Sequence, residues 1–288
     1  MSNLTVIFVS FRSAEIILSA IESVSQHQII MVDNASGDNT IELIKTNFPK
    51  VTIISNTKNI GFGRANNLAL QQVKTPYALA LNPDARISAL DIDRCLKIMQ
   101  QHQQIALAGP MVYNVELIDG NFVEKGICGK VNKNMHLFEQ QDYYVNQFIT
   151  GAGMFFNMSI MQNIGFFDQG FFLYCEDNEI CKRVIKKGYQ TAIIKNTKLL
   201  HLGSKSAKTT QVEINRTHWH RFGWSKLYYT QLIWGRAVAI LKGIRMLIKF
   251  LFLCLRKQPK TADKQALKGV LFYLCGKKAF DNNDNPRG

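Results

Sequence analysis

Short apolar runs alternate with helically spaced ones along the first part of the chain. "LTVIFVSF" (4–11) is β-branched and apolar throughout, the pattern of a strand buried on both faces. Residues 13–26 carry Ile16, Ile17, Ala20, Ile21 and Val24 at helical spacing. The alternation continues with strands at 28–34, 51–56 and 76–85 and helices at 36–48 and 61–73. Ser36 or Asp38 is the expected N-cap of the helix at 36–48. This order predicts an α/β fold with a mostly parallel central sheet flanked by helices. Such sheets bind ligands at the carboxyl ends of their strands. The polar residues gather there: Ser10, Asp33, Asn56 to Asn59, Asn82 and Asp84.

Farther on, 87–104 reads as a helix, and 110–148 is less regular, with a turn expected at Asp119-Gly120. The stretch 176–188 has Ile180, Val184 and Ile185 on one helical side and Gly188 as its stop. Residues 190–203 read as a strand and its exit. From Trp219 the texture changes. The run 232–257 is long and apolar but interrupted by Lys242, Arg245, Lys249 and Arg256. At 100° per residue these four fall within about 60° of one another, a narrow basic stripe on an apolar cylinder. A spanning helix needs roughly 20 apolar residues with few charges. A basic amphipathic helix lying in a membrane interface fits the stripe better. A core helix whose Lys and Arg reach outward to solvent is the alternative. The expected organisation is an α/β domain over 1–215 and a basic helical, membrane-associating extension over 216–288.

The charge sharpens that contrast. The 288-residue chain has a formal net charge of +14. From Lys182 onward there are 23 Lys and Arg against 4 Asp and Glu, whereas residues 1–181 hold 12 against 17. A basic tail suits an anionic surface, either lipid or nucleic acid. Its basic residues are interleaved with long aliphatic runs, which favours lipid, so no nucleic-acid partner is expected. The six cysteines form no CxxC pair, so neither zinc nor a disulfide framework is indicated. The opening "MSNLTVIFVSF" lacks a basic n-region and a cleavage site, so it reads as a strand and not a signal peptide. Reduced thiols and no leader suggest a cytoplasmic protein, peripheral on the inner face of the membrane.

Asp84 closes a buried strand in "LALNPDA", where Pro83 ends the ladder. Asn82 and Asp84 supply oxygen, the donor type that Mn²⁺ or Mg²⁺ prefers, although a Pro-Asp turn has the same look. Asp33 holds the equivalent place on the second strand. "NIGFGRANN" follows a strand and opens a helix but has Asn66 where a dinucleotide fingerprint has its third Gly. His201 in "KLLHLGSKS" becomes a metal ligand only if it faces Asp84. "FFLYCEDNEICKR" (171–183) sets Glu176, Asp177 and Glu179 after four apolar or aromatic residues. Acids at a helix N-terminus are stabilised by ~0.3–1 kcal/mol each, which accounts for Glu179. The aromatic wall is expected to restrict the hydration of Asp177 and strengthen it as a base.

Six stretches in order, "VIFVSFRS", "IIMVDNASGDNT", "NTKNIGFGRANN", "LALNPDA", "GAGMFF…IGFFDQGFFLYCEDNEICKR" and "LLHLGSKS", resemble the family-2 inverting glycosyltransferases of the GT-A, Rossmann-like fold. The N-P-D-A and F-F-x-Y-x-E-D stretches are most similar to bacterial rhamnosyltransferase-type enzymes of surface-polysaccharide assembly. The resemblance implies that Ser10 and Asp33 contact the nucleobase and ribose. Asn59, Gly61 and Asn66 would line the nucleotide pocket. Asn82 and Asp84 stand at the D-x-D positions, with Asp84 and His201 on a divalent cation, Mn²⁺ or Mg²⁺. Asp177 would be the general base, with Glu176 beside it. The implied partners are a nucleoside-diphosphate sugar, dTDP-rhamnose first with a UDP-hexose as the alternative, and a polyprenyl-diphosphate-linked saccharide acceptor. Two departures stand out: Arg12 replaces an Asn, and Asn82 replaces the first Asp of D-x-D, removing a charge from the metal site.

Overall fold

A computed structural model describes residues 3–118, 121–127, 136–203, 210–256, 258 and 260–287. The apolar runs of the opening form parallel strands because nearly every side chain on them finds an apolar neighbour. β1 (Leu4–Ser10), β2 (Gln28–Asp33), β3 (Thr52–Ser55) and β4 (Tyr77–Leu81) are joined by α1 (Ile17–Glu22), α2 (Thr40–Asn47) and α3 (Phe62–Leu70). They lie in the order β3-β2-β1-β4, all parallel, with Ser10 opposite Asp33 and Asp33 opposite Ser55. β5 (Ala85–Ile87) and α4 (Ala89–Gln101) follow, the helix capped by Ser88 Oγ accepting from the Asp91 amide at 3.1 Å.

Beyond β4 the sheet is mixed. β6 (Ile105–Ile118), β7 (Asn121–Ile127), β8 (His136–Glu139), β9 (Tyr143–Asn146), β10 (Gly153–Asn157) and β11 (Gln190–His201) extend it as β4-β10-β6-β11-β9-β8, with β10 antiparallel to both neighbours. The described residues of 110–148, a stretch expected to be irregular, are therefore largely strand. β6 runs parallel to β11 across a long stretch of sequence, a pairing that no local pattern announces. The expected turn at Asp119-Gly120 lies outside the described residues. α5 (Met158–Ile164) and α6 (Glu176–Lys186) complete this part, and the core between sheet and helices includes Phe8, Met31, Leu79, Ile92, Met99 and Phe155.

The chain divides into two compact units: 1–57, 65–166 and 180–208 form the first, and 58–64, 167–179 and 209–288 the second. The helical extension thus shares its unit with two short segments drawn from earlier in the chain. It comprises α7 (Gln211–Trp219), a π-helical turn over His220–Trp224, α8 (Ser225–Trp234), α9 (Arg236–Cys254) and α10 (Thr261–Leu274). The apolar run 232–257 is broken at Gly235, whose φ of +90° suits a residue without a Cβ. α9 packs on α8 and α10 through Ala239, Gly243 and Phe250. Gly243 packs closely there: a Cβ would lie 2.8 Å from Leu274 Cδ2, so that side chain would have to shift. Among the described residues no helix is long and apolar enough to cross a membrane.

Candidate active site

In the first unit the carboxyl ends of β1, β2 and β3 carry a polar cluster. Asp33 is buried, and its Oδ2 accepts the Ser36 amide at 3.1 Å while Oδ1 accepts the Ser36 hydroxyl. Ser36 Oγ in turn accepts the Arg12 amide at 3.0 Å. The Asn34 amide donates to the Ser10 carbonyl at 2.8 Å, and Asn56 Nδ2 donates to Asn34 Oδ1 at 3.1 Å. Ser36 therefore orients Asp33 and does not cap α2. Nor is Asp38 the cap: the N-cap residue is Asn39, without a side-chain cap bond, and Asp38 Oδ1 accepts the Thr40 amide at 3.1 Å from one residue before it. Ser10 Oγ is buried with no hydrogen-bond partner among the described residues, a donor and acceptor available to a ligand. Arg12 (φ +52°) and Ala35 (φ +64°) adopt left-handed backbone here, a conformation that non-glycine residues seldom take. Asn66 is buried on α3.

The second cluster of this unit lies past β4. The Asn82 amide donates to the Ala152 carbonyl at 3.0 Å, and the Asn82 carbonyl accepts the Ala85 amide at 3.0 Å. That turn places Asp84 wholly inside. β5 pairs antiparallel with β11, with Ala85 opposite His201, and His201 Nε2 comes to 3.4 Å from Asp84 Oδ1. The condition set on His201 is met: imidazole and carboxylate face each other. No group of three or more His, Cys, Asp and Glu side chains is gathered for a metal among the described residues. A divalent cation on Asp84 and His201 would take its remaining ligands from substrate oxygens and water, as a cation that binds diphosphate does. An oxygen and an imidazole donor within contact of each other, one of them buried, fit such an ion.

Arg86 is an addition that the motif reading omitted. Its Nη1 donates to the carbonyls of Pro83 (2.9 Å) and Ala85 (2.7 Å), and its Nη2 to the Ile16 carbonyl (2.8 Å). Burial draws its guanidinium down to about 10, and the Asp84 charge offsets part of that. A cation two residues after a strand-end acid was the available signal.

In the second unit, 58–64 and 167–179 build a wall. Asn59 Oδ1 accepts the Gly61 amide at 3.0 Å, and the Phe62 amide donates to the Phe172 carbonyl at 3.1 Å. Phe62 meets Phe167 edge-on at 5.8 Å, and Phe171 meets Tyr228 at 4.8 Å. Gly61 has φ +87°, and a Cβ on it would stand 2.2 Å from the Phe172 carbonyl oxygen. Gly61→Ala should therefore destabilise the protein by more than the ~1–3 kcal/mol of left-handed strain alone. A denaturant midpoint unchanged from wild type would show that the loop yields freely.

Tyr174 (φ +67°) and Cys175 (φ +73°) are consecutive left-handed residues leading into α6. The Leu173 carbonyl is held by Ser225 Oγ at 2.8 Å, and the Glu179 amide closes the first helical bond on the Cys175 carbonyl at 2.9 Å. The acids then separate by helical geometry. Glu176 and Glu179 are buried, and Asp177 is half-buried. Glu176 is thus desolvated more fully than Asp177, the acid for which the sequence predicts restricted hydration. Residues i and i+3 share a face, and the face of Glu176 and Glu179 turns inward. Burial, then the Asp177 charge, pushes Glu176 up to about 8. Glu176 Oε2 has no hydrogen-bond partner among the described residues. Asp177 Oδ1 accepts the Asn178 amide at 2.8 Å and Asn178 Nδ2 at 3.0 Å.

Residues 5–165 match the sequence profile of "Glycosyl transferase family 2". Over 197 residues the chain is 25% identical to the low-salt glycan biosynthesis hexosyltransferase Agl10 of Haloferax volcanii, covering 64% of this chain and 62% of that protein. Over 204 residues it is 20% identical to the N-acetylglucosaminyl-diphospho-decaprenol L-rhamnosyltransferase of Mycobacterium tuberculosis, covering 60% and 66%. The matched spans fall short of two thirds of either relative's length. Among solved structures, the mannosyltransferase PcManGT of Pyrobaculum calidifontis in complex with GDP-Man and Mn²⁺ is similar at TM-score 0.58 and 14% identity, over 95% of this chain and 87% of that one. That likeness shows a shared GT-A fold.

Proposed function

The chain belongs to glycosyl transferase family 2, and we propose that it moves a sugar, with inversion, from a nucleoside diphosphate to a lipid-linked saccharide in surface-polysaccharide assembly. The observation that carries this reading is the approach of His201 Nε2 to Asp84 Oδ1 at 3.4 Å, past a strand's carboxyl end. In this reading Ser10 and Asp33 bind nucleobase and ribose, and Asn59, Gly61, Asn66 and Asn82 line the nucleotide. A divalent cation, Mn²⁺ or Mg²⁺, held by Asp84 and His201 would offset the charge of the departing diphosphate. Asp177 takes the proton of the acceptor hydroxyl, whose oxygen bonds to the anomeric carbon as the opposite carbon–oxygen bond to diphosphate breaks. The transition state is oxocarbenium-like. Glu176, protonated over much of the neutral range, keeps a second negative charge away from the donor and leaves proton transfer to Asp177.

Rhamnose from dTDP-rhamnose, passed to a polyprenyl-diphosphate-linked acceptor, is the preferred chemistry, supported by the named activity of the mycobacterial relative. A UDP-hexose such as UDP-galactose or UDP-N-acetylglucosamine is the second reading, favoured by the Haloferax hexosyltransferase. A screen of purified protein against nucleotide sugars, with and without Mn²⁺, decides between them. Turnover of UDP-hexoses alone would replace the rhamnose assignment, and inertness toward every donor would remove the transferase reading.

The acceptor's lipid places the enzyme at the cytoplasmic face of a membrane, and α9 has a face suited to it. Opposite its packed side, Leu241, Ile244, Ile248, Phe252 and Leu255 are exposed, Leu255 by 84% and Phe252 by 69%. Arg245, Lys249 and Arg256 flank them, and Lys242 is half-buried with its Nζ donating to Thr230 Oγ1 at 2.8 Å. Exposed apolar side chains beside a basic edge match an anionic interface, each cation contributing ~1 kcal/mol. Replacing Lys242, Arg245, Lys249 and Arg256 by Gln should release much of the protein from anionic liposomes, and high salt part of it. Binding that ignores both salt and the substitutions would mean an integral segment. Absence of liposome binding in the wild type would make the stripe a solvated face.

A further inference from the structure

The segment Lys277–Arg287 is a closed loop with a firm attachment of its own. The Asp281 amide donates to the Asn285 carbonyl at 2.9 Å, and Asp281 Oδ1 accepts the amides of Asn283 (3.0 Å) and Asn285 (2.8 Å). The Arg287 amide returns to the Ala279 carbonyl at 2.8 Å, closing the loop. Trp224 Nε1 donates to the Lys277 carbonyl at 2.8 Å, and His220 Nε2 lies 3.1 Å from the Arg287 carbonyl. Burial draws His220 down to about 3, so it is neutral and carries its proton on the nitrogen facing that carbonyl. Phe280 is buried, its ring 6.0 Å from that of Phe172 and edge-on to it.

What this loop presents is Asp284, left-handed at φ +59°, and the Asn283 carbonyl. Arg64 Nη1 donates to Asp284 Oδ1 at 2.6 Å, and Lys58 Nζ donates to the Asn283 carbonyl at 2.9 Å and lies 3.7 Å from Asp284 Oδ2. The Arg64 guanidinium sits 3.6 Å above the Phe280 ring, and its Nε donates to the Gln169 carbonyl at 2.7 Å. One planar fork thus joins three segments: 58–64, the approach to the aromatic wall, and the 277–287 loop. Lysine has no such fork. The two cations bracket Asn59 and Gly61, and the Phe62 amide and missing Gly61 Cβ fit that same stretch to the Phe172 carbonyl.

The ion pairs contribute little to folding. The side chain of Asp284 is 51% exposed and that of Lys58 39%, a setting in which ion pairs stabilise weakly. Their effect is geometric. We infer that Arg64 and Asp284 are positioning residues: the 277–287 loop, through them, sets the conformation of the 58–64 segment and so governs affinity for the nucleoside-diphosphate donor. The donor part of this inference rests on the proposed placing of Asn59 and Gly61 at the nucleotide.

The test uses the full chain. Asp284→Asn should raise the KM for the nucleotide sugar roughly three- to five-fold, the scale of one exposed ion pair. It should leave kcat within about two-fold and the melting temperature near wild type. Arg64→Lys should behave alike, because a single nitrogen cannot stand where both Nε and Nη1 reach Gln169 and Asp284, and Asp284→Glu should restore part of the affinity. Independently of turnover, hydrogen exchange of the ligand-free protein should quicken across 58–64 in Asp284→Asn and not across β1 or β2. Unchanged exchange there would overturn the latch itself. Faster exchange with an unchanged KM would overturn its link to the donor. A loss of kcat and melting temperature without a change in KM would reduce the pair to a structural contact and overturn the inference. A wild type that turns over no donor, with exchange still faster in the variant, would strike the functional reading and the donor link while leaving the latch in place.

Discussion

Asp177→Asn should lower turnover by at least about 10²-fold, the lower range for loss of a general base, with donor affinity little changed. The amide keeps the shape of the carboxylate and the Asn178 amide can still bond its oxygen, but it cannot accept a proton at neutral pH. The two neighbouring acids differ in setting. Glu176 is buried and raised toward neutrality, whereas Asp177 is half-buried and oriented by two donors from Asn178. A second readout follows. Burial is the larger cause of the Glu176 shift and the Asp177 charge the next. Removing that charge should therefore move the Glu176 midpoint down from about 8 but not return it to 4.5. Carboxyl NMR titration of the variant measures this. Near-normal turnover in Asp177→Asn would sink the base assignment, whatever the titration shows.

Asp84→Ala should abolish transfer and weaken binding of the nucleoside diphosphate, and excess EDTA should silence the wild type. Asp84 is fully buried with His201 Nε2 at 3.4 Å. A buried carboxylate is costly to retain without a charged or hydrogen-bonding partner. The local fold does not depend on its side chain alone, because the Leu202 amide bonds the Asp84 backbone carbonyl at 3.1 Å. Asp84→Asn, nearly isosteric, separates loss of charge from loss of shape. It should retain the melting temperature and lose the response to added Mn²⁺. Full activity in EDTA would refute the cation, and full activity in Asp84→Asn would move the ligand role elsewhere.

The local pattern was enough for the first four strands and the helices between them. Each is short and continuous in sequence, with β1, β2 and β4 buried on both faces and β3 a half-exposed edge strand, so its period or lack of one is visible in a window of a few residues. The same holds for Asp84 after Pro83 and for the acids at the start of α6. The strands β6 to β9 were not legible, because their stability comes from partners distant in sequence, β6 with β11 above all. Nor was the division of the acids: composition puts Glu176, Asp177 and Glu179 together, and only the direction in which α6 faces its neighbours buries two of them and leaves one accessible.

By itself the sequence determined the α/β class, the order of the motifs and the position of Asp84 at a strand end. These depend on spacing along a single segment, which short-range physics reads directly. Only the tertiary structure decided that His201 meets Asp84, that Ser36 serves Asp33 and not a helix cap, that Glu176 is the desolvated acid, and that Arg64 is clasped by Asp284 from a distant loop. The meetings of His201 with Asp84 and of Arg64 with Asp284 are contacts between residues on different segments. The energy that makes such a contact arises when packing brings the two side chains together and removes them from water, and no single stretch of sequence contains both halves of it.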